Sequence, residues 1–502
     1  MGWFSAPDSW LARLLVQRGL AAVYLVAFLV AVNQFRPLLG ERGLLPVRRF
    51  VAAVPFRRSP SLFHVHYSDR LFAVLAWSGV ALSAAALVGV VERGPLWVCM
   101  PAWLVLWVLY LSIVNVGQVF YSFGWETLLL EAGFLAVFLG SSRVAPPAAV
   151  LGLFRWLVFR LEFGAGLIKL RGDRCWRDLT CLYYHHETQP MPNPLSWYFH
   201  HLPKPLHKVE VAANYLAQLV APVALLGPQP VAGVAAAVVI VTQAWLVASG
   251  NFSWLNWTTM VLACAALTDR TVERLLPISP PTALHAPPGW YETVVLGLVA
   301  LVAVLSYRPV RNLASRRQRM NTSFEPLHLV NTYGAFGSVT RVRREVVIEA
   351  TVDEHPGPHT QWEEYEFKGK PGDPHRRPPQ VAPYHLRLDW LMWFAALSPM
   401  YAESWFPALV AKLLENDPAT VRLLRRAPFG GRPPTHIRAR LYEYRFTNWA
   451  ERRATGAWWT RTLIGDYPPV AHRRSSPGHG RGEERRNGGR WISGAGRSGP
   501  GS

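Results

Sequence analysis

Stretches of apolar residues too long for an ordinary globular helix recur through the first 310 positions, and they restrict what this chain can fold into. A hydrocarbon core of ~30 Å asks for about 20 apolar residues in a helix. Segments 71–91 and 96–116 meet that length outright. Segments 19–32, 150–170, 211–226, 231–247, 254–267 and 294–307 are further spans, and 125–140 is short enough to be tilted or re-entrant. In lipid a backbone must satisfy its own polar groups, so seven to nine such spans form a helical bundle. The first span follows Arg13 and Arg18 but runs into Asn33, Gln34 and Phe35 with no small-x-small cleavage site, so it reads as an anchor. Trp97, Trp103, Trp125, Trp254, Trp257 and Tyr307 near span ends fit an interfacial aromatic belt.

Only 17% of the 502 residues are charged, against about 25% in soluble proteins. The mean hydropathy of +0.12 averages two unlike regions. From about residue 311 strand patterning begins: 342–352 alternates, with Arg344 and Val347 breaking the pattern, and 362–367 and 437–446 repeat the style with aromatics. Helical spacing returns at 385–397 and 404–414, Pro418 opens a short helix, and 368–383 reads as a loop. The expected architecture is a transmembrane domain over 1–310, a β-rich α+β domain over 311–467 with a core of its own, and a disordered Gly/Arg-rich tail over 468–502. A literal dinucleotide fingerprint at 494–499 is discarded, since no strand precedes it and no helix follows. The tail's arginines read as solubilising, and no nucleic acid is expected as a partner.

The net charge is +20, and only six of the 52 basic residues are lysine. This bias, with abundant Ala, Gly, Pro and Val, suggests a GC-rich bacterial genome and hence a bacterial inner membrane, with lipid as a partner. Seven arginines lie in 36–70, five basic residues in 171–208 and five arginines in 308–319. Eight spans between the first and last of these put all three on one side, which the positive-inside rule makes cytoplasmic.

Ionisable residues inside lipid cost about 2.5–3.5 kcal/mol each on insertion scales and so require partners. Arg155, Glu162 and Lys169 are seven apart on one helix face, Gly164 to Gly166 allow a neighbour close, and Glu126 and Glu131 are possible counter-charges. These residues are either a buried polar site for a ligand or proton, or an ion-pair network that sets helix register. The following loop is dense in polar and aromatic groups, and Trp176, Arg177, Asp178, His186, Glu187 and Gln189 are its candidate functional residues. No histidine pair there has the i, i+4 helical spacing of a zinc motif, and Pro190, Pro192 and Pro194 extend the chain, so no metal is expected. Cys175 and Cys181 either close a small ring on an oxidising face or remain thiols. No nucleophile elbow, phosphate loop or Cys-x-x-Cys is present, no inverted repeat suggests a transporter, and no cofactor is expected.

Several motifs follow in order: Asn115-Val116-Gly117-Gln118, Phe123-Gly124-Trp125-Glu126, Cys175 to Thr180, His186-Glu187-Thr188-Gln189-Pro190 and Pro192-Asn193-Pro194, then Asn331-Thr332-Tyr333-Gly334, Pro383 to Trp393, and Tyr442-x-Tyr444-x-Phe446. Together they resemble the lipase maturation factor family. The likeness runs from about residue 20 to 467. It implies a multispan membrane protein that assists folding or assembly of exported proteins such as lipases without catalysis. Its C-terminal domain would handle clients in an exported compartment. Trp390, Trp393, Trp405, Trp458 and Trp459 either offer clients an exposed surface or, spaced regularly with aliphatics, belong to the core. A shorter likeness, Gly166-Leu167-Ile168-Lys169-Leu170 followed by Trp176, is similar to the lysine segment of vitamin K-dependent carboxylases. It implies the alternative: a membrane-embedded enzyme acting on a lipophilic or protein substrate with Lys169, Glu162, Arg155 and Glu126.

Overall fold

A computed structural model describes residues 4–472. The helices of the first half are α1 (Trp10–Leu39), α2 (Asp69–Leu87), α3 (Leu96–Asn115), α4 (Gly124–Ala136) and α5 (Ala148–Arg171), then a short α6 (Leu182–Thr188) in a loop. They continue with α7 (Lys204–Tyr215), a π turn at Leu216–Val220 leading into α8 (Ala221–Leu225), then α9 (Val231–Ser249), α10 (Leu255–Ala263) and α11 (Gly289–Ala314). Hydrogen bonds join their ends at two poles. At one, Arg13 donates to the Val144 carbonyl and the Tyr291 hydroxyl to Phe138. At the other, Arg171 donates to Leu313 and Asn115 to Pro326. Five helices (Pro7–Leu39 with its first turn, α2, α3, α9 and α11) are long and apolar enough to cross a membrane. The 24-residue α5 has the length but carries Arg155, Arg160, Glu162 and Lys169, which its neighbours cover.

The second half opens with a strand pair, β1 (Thr322–Ser323) with β2 (Asn331–Thr332). The main sheet is antiparallel, in the order β4-β3-β5-β6, from β3 (Arg343–Thr351), β4 (Glu363–Glu364), β5 (His436–Phe446) and β6 (Trp459–His472). All but one residue of β3 is buried, because α12 (Arg387–Leu397) packs against it while the 187–200 loop joins its other neighbours. A strand with both rows of side chains buried loses the alternation of a half-wet one, which explains why Val347 breaks the pattern; Arg344 is the one exposed residue, next to the strand's start. α13 (Phe406–Leu414) packs on β5 and β6. The segment 362–367 forms only the two-residue β4. β6 runs to His472, into the stretch read as tail. It is an edge strand, where Pro468 and Pro469 remove no ladder bond that a neighbour needs. The rest of the expected tail lies outside the described residues.

One apolar cluster runs from Leu11, Tyr24 and Phe35 of α1 to Val346, Trp390, Leu409 and Tyr467 of the sheet domain. The expected separate core of the C-terminal domain is therefore corrected: the bundle and the sheet share one interior. Trp390, Trp405, Trp458 and Trp459 are buried in it or in its satellite and Trp393 is half-buried, so of the two readings of these aromatics the core one holds and the exposed client surface does not.

Candidate functional site

The most unusual chemistry of the bundle lies on α5. Glu162 is buried, and its two oxygens accept from Gln218 Nε2 at 3.2 Å and Gln243 Nε2 at 2.5 Å. Lys169, two turns on, donates to Asn214 Oδ1 and Gln218 Oε1, both at 2.9 Å, and its ammonium stands 5.0 Å from the Trp176 ring centre. Gln218 thus bridges the acid and the base, and Asn256 extends the chain by donating to Gln243 Oε1 at 2.6 Å. The π turn presents Gln218, and such turns collect at functional sites. Gly166 allows its approach: a Cβ there would lie 2.6 Å from Leu219 Cδ2.

The structure therefore brings Glu162 and Lys169 together but separates the other two residues of the expected cluster. Arg155 is half-buried and donates to the Ala265 carbonyl at 3.3 Å. Glu126 points to the C-terminal domain, where Arg387 Nη1 lies 2.8 Å from its Oε1, with Tyr110 bonded to its other oxygen and His385 at 3.7 Å. Arg387 is fully buried and also donates to the Phe120 carbonyl at 2.7 Å, while Gln34 of α1 accepts from its backbone N–H. Glu131 does meet α5, pairing with Arg160 and accepting from the Tyr333 hydroxyl and the Asn331 N–H. The stacked face of three charges is not an ion-pair ladder: Arg155 bonds the Ala265 carbonyl, while Glu162 and Lys169 meet through the amides of Gln218, Gln243 and Asn214.

Glu162 and Lys169 line a cavity of 1410 Å³ whose wall is mainly apolar and includes Trp176, His185, His186, Phe252, Phe336 and Trp393. The loop after α5 closes one side of it. Cys175 and Cys181 form a disulfide. Trp176 is buried and donates to the Phe336 carbonyl at 2.7 Å, and Arg341 bonds Asp173 at 2.9 Å, so this loop is fastened to the second half of the chain. Arg177 and Asp178 are exposed, and Asp178 pairs with Arg174 at 3.2 Å. Glu187 accepts the Phe446 N–H at 2.7 Å, and burial raises its carboxyl above the usual range. Gln189 donates to His186, Ser196 and Ser249 oxygens at 3.0 Å each. Arg343, fully buried, donates to the carbonyls of Glu187, Gln189 and Pro190 and pairs with Glu345 at 2.5 Å. These two loop residues hold the sheet to the bundle.

His186 is buried beside His207 and Glu210, and burial pushes its imidazole well below the ordinary range. Sequence reading placed His186 in a functional loop but left out Glu210, Gln218, Gln243 and Arg387. Neutral amides in apolar spans carry no charge to flag them, although a glutamine in a span is itself a signal.

Comparison with known proteins follows the same division of the chain. Residues 11–274 match the lipase maturation factor transmembrane domain and residues 329–469 the lipase maturation factor C-terminal domain. Lipase maturation factor 1 of Bos taurus is 44% identical over 511 residues, covering 94% of this chain and 91% of the relative. Its Homo sapiens counterpart is 43% identical over 501 residues, covering 92% and 88%. Human lipase maturation factor 2 is 30% identical over 597 residues, covering 92% and 82%. No solved structure matches the chain. These relatives are animal proteins, so the bacterial inner membrane read from the arginine bias is without support, since codon-driven composition is not confined to bacteria. Motif order, domain division and identity over nine-tenths of the length agree, and the chain belongs to the lipase maturation factor family.

Proposed function

We propose that this protein is an integral membrane maturation factor that assists folding or assembly of exported proteins, lipases among them, by contact and on the oxidising side of its membrane. The observation that carries this reading is the placement of the Cys175–Cys181 disulfide at the pole that bears the sheet domain. Disulfides persist in oxidising compartments, so the C-terminal domain shares the compartment of an exported client. The charge count argues for the opposite side, but long domains translocate largely regardless of charge.

Nine helical passes alternate between the poles, with α4, the α7–α8 pair and α10 as the short ones and α5 as the polar one. Nine and five crossings both leave the C-terminal domain opposite the N-terminus. The exposed side chains of Arg177 and Asp178, with Tyr401 at the cavity rim and the exposed Met400 next to it in sequence, offer the client a surface. The relatives carry the name of the client class. The enzyme alternative is the weaker reading, because Lys169 and Glu162 are each held by two amide hydrogen bonds and the relatives are named for maturation.

A reporter-fusion map of topology, joined to co-expression with a secreted lipase in cells lacking a factor of their own, tests the proposal. The expected result is a C-terminal reporter active only in the oxidising compartment and a rise in active lipase per mass of lipase secreted. A cytoplasmic C-terminus, or a lipase yield indifferent to the factor, would overturn it.

A further inference from the structure

We propose that His186 of α6 and His207 and Glu210 of α7 form a binding site for a divalent transition metal of the zinc class, with its remaining coordination position open to the large cavity. One ligand atom from each of the three lies within 4.8 Å of the others. Zinc bonds of about 2.0–2.1 Å set tetrahedral ligand pairs about 3.3 Å apart, so side-chain adjustments of about 1 Å close the site.

Two features of the donors point to a cation. His186 is 3% exposed, and neither of its ring nitrogens has a hydrogen-bond partner among the described residues. Leaving a buried polar atom unmet costs about 1–3 kcal/mol, and the large majority of buried side-chain polar atoms in native structures have a partner. A metal takes one nitrogen as its ligand. The second feature is His207, 1% exposed, with Nδ1 3.0 Å from Glu210 Oε2 and Nε2 3.4 Å from the His200 carbonyl oxygen. A neutral ring has one proton. When Nε2 donates it to the carbonyl, the Nδ1 lone pair faces a carboxylate, and a cation between them removes the repulsion.

The outer contacts are those a metal site uses. Glu210 Oε1 accepts from the Trp245 indole at 2.7 Å, leaving Oε2 for the ion, and the His200 carbonyl fixes the His207 tautomer. Two histidines and one carboxylate are an established zinc set, and a set of three leaves a position for water or an incoming group. His186 and Glu210 both line the cavity, which supplies the entry path. Sequence spacing conceals the site, since His207 and Glu210 are i, i+3 on one helix and His186 comes from another 21 positions earlier. This inference does not depend on the maturation role.

The test uses the full chain in detergent without a polyhistidine tag, loaded with zinc or cobalt(II), desalted, and assayed for metal by mass spectrometry. The wild type is expected to retain about one zinc per chain. His186→Asn and Glu210→Gln are expected to reduce retention tenfold or more, with His185→Asn at the neighbouring position retaining wild-type content. Cobalt(II) in the wild type is expected to give the intense visible bands of a four-coordinate site, lost in His186→Asn. The cobalt spectrum of the wild type needs no variant to fold. No retention by the wild type, retention unchanged in His186→Asn and Glu210→Gln, or the weak spectrum of six-coordinate cobalt would each overturn the proposal.

Discussion

Glu126 and Glu162 are carboxylates buried in neighbouring helices of one bundle, yet they keep different company. Glu126 sits at the junction of bundle and sheet, where Arg387, Tyr110 and His385 close around it. Glu162 sits beside the cavity and meets only amides, with Lys169 one glutamine away. A guanidinium–carboxylate pair is rigid and intolerant of loss, because removing one partner strands a buried charge. An amide chain can turn its dipoles and still bond, so it tolerates changes of charge and of occupant. The first region is a weld, and the second is a polar wall that can accommodate a guest.

The largest effect follows from breaking the weld. Glu126→Ala leaves Arg387 charged, fully buried and without its carboxylate, at a cost of about 3–5 kcal/mol. The expected outcome is a sharp fall in folded protein, read by detergent size-exclusion yield and thermal unfolding. A variant as stable as the wild type would make the junction dispensable.

Acid probes the same region more gently. Burial holds His385 and His328 at about 4, below the ordinary 6.5. Protonation therefore favours the unfolded chain. The stability these groups confer is complete above pH 6.5 and is lost as pH falls from there toward 4. For His385, which is fully buried, that amounts to about 3 kcal/mol at pH 4. The unfolding midpoint should drop across this window, with a shallower slope in His385→Gln; an unchanged slope in that variant would remove His385 from the account.

The smallest effect is expected at the polar wall. Lys169→Ala forfeits two charge-assisted hydrogen bonds but also removes the cost of burying an ammonium, so the net loss is about 1–2 kcal/mol. Lipase maturation should then decline only in step with the folded protein that remains. A variant that folds to wild-type yield but supports no maturation would give the wall a chemical role and revive the enzymatic reading.

Much of this arrangement was legible in the residues alone, and the rest was hidden for identifiable reasons. Apolar length located the five helices long and apolar enough to cross a membrane, and the cost of charge in lipid singled out α5. The partners of those charges were hidden because Gln218 and Gln243 are uncharged and Arg387 lies 261 residues beyond Glu126. Strand β3 was visible despite its broken alternation. β6 was missed because the composition from 468 onward reads as tail, and only the sheet order shows that Pro468 and Pro469 fall on an edge strand. The pairing of Cys175 with Cys181 stayed open for want of a known compartment, and the grouping of His186 with His207 and Glu210 depends on two helices meeting in space.

That separation of 261 positions has a consequence for how the protein is made. At ribosomal speeds of about 5–20 residues per second, roughly 13–50 seconds pass between synthesis of Glu126 and arrival of Arg387. Through that interval the nascent bundle holds an acid whose counterpart has yet to be translated, and Gln34 waits with it. Completion of the junction is a late event in biosynthesis, and a chain truncated before residue 387 would leave the translocon with an exposed defect for quality control to recognise.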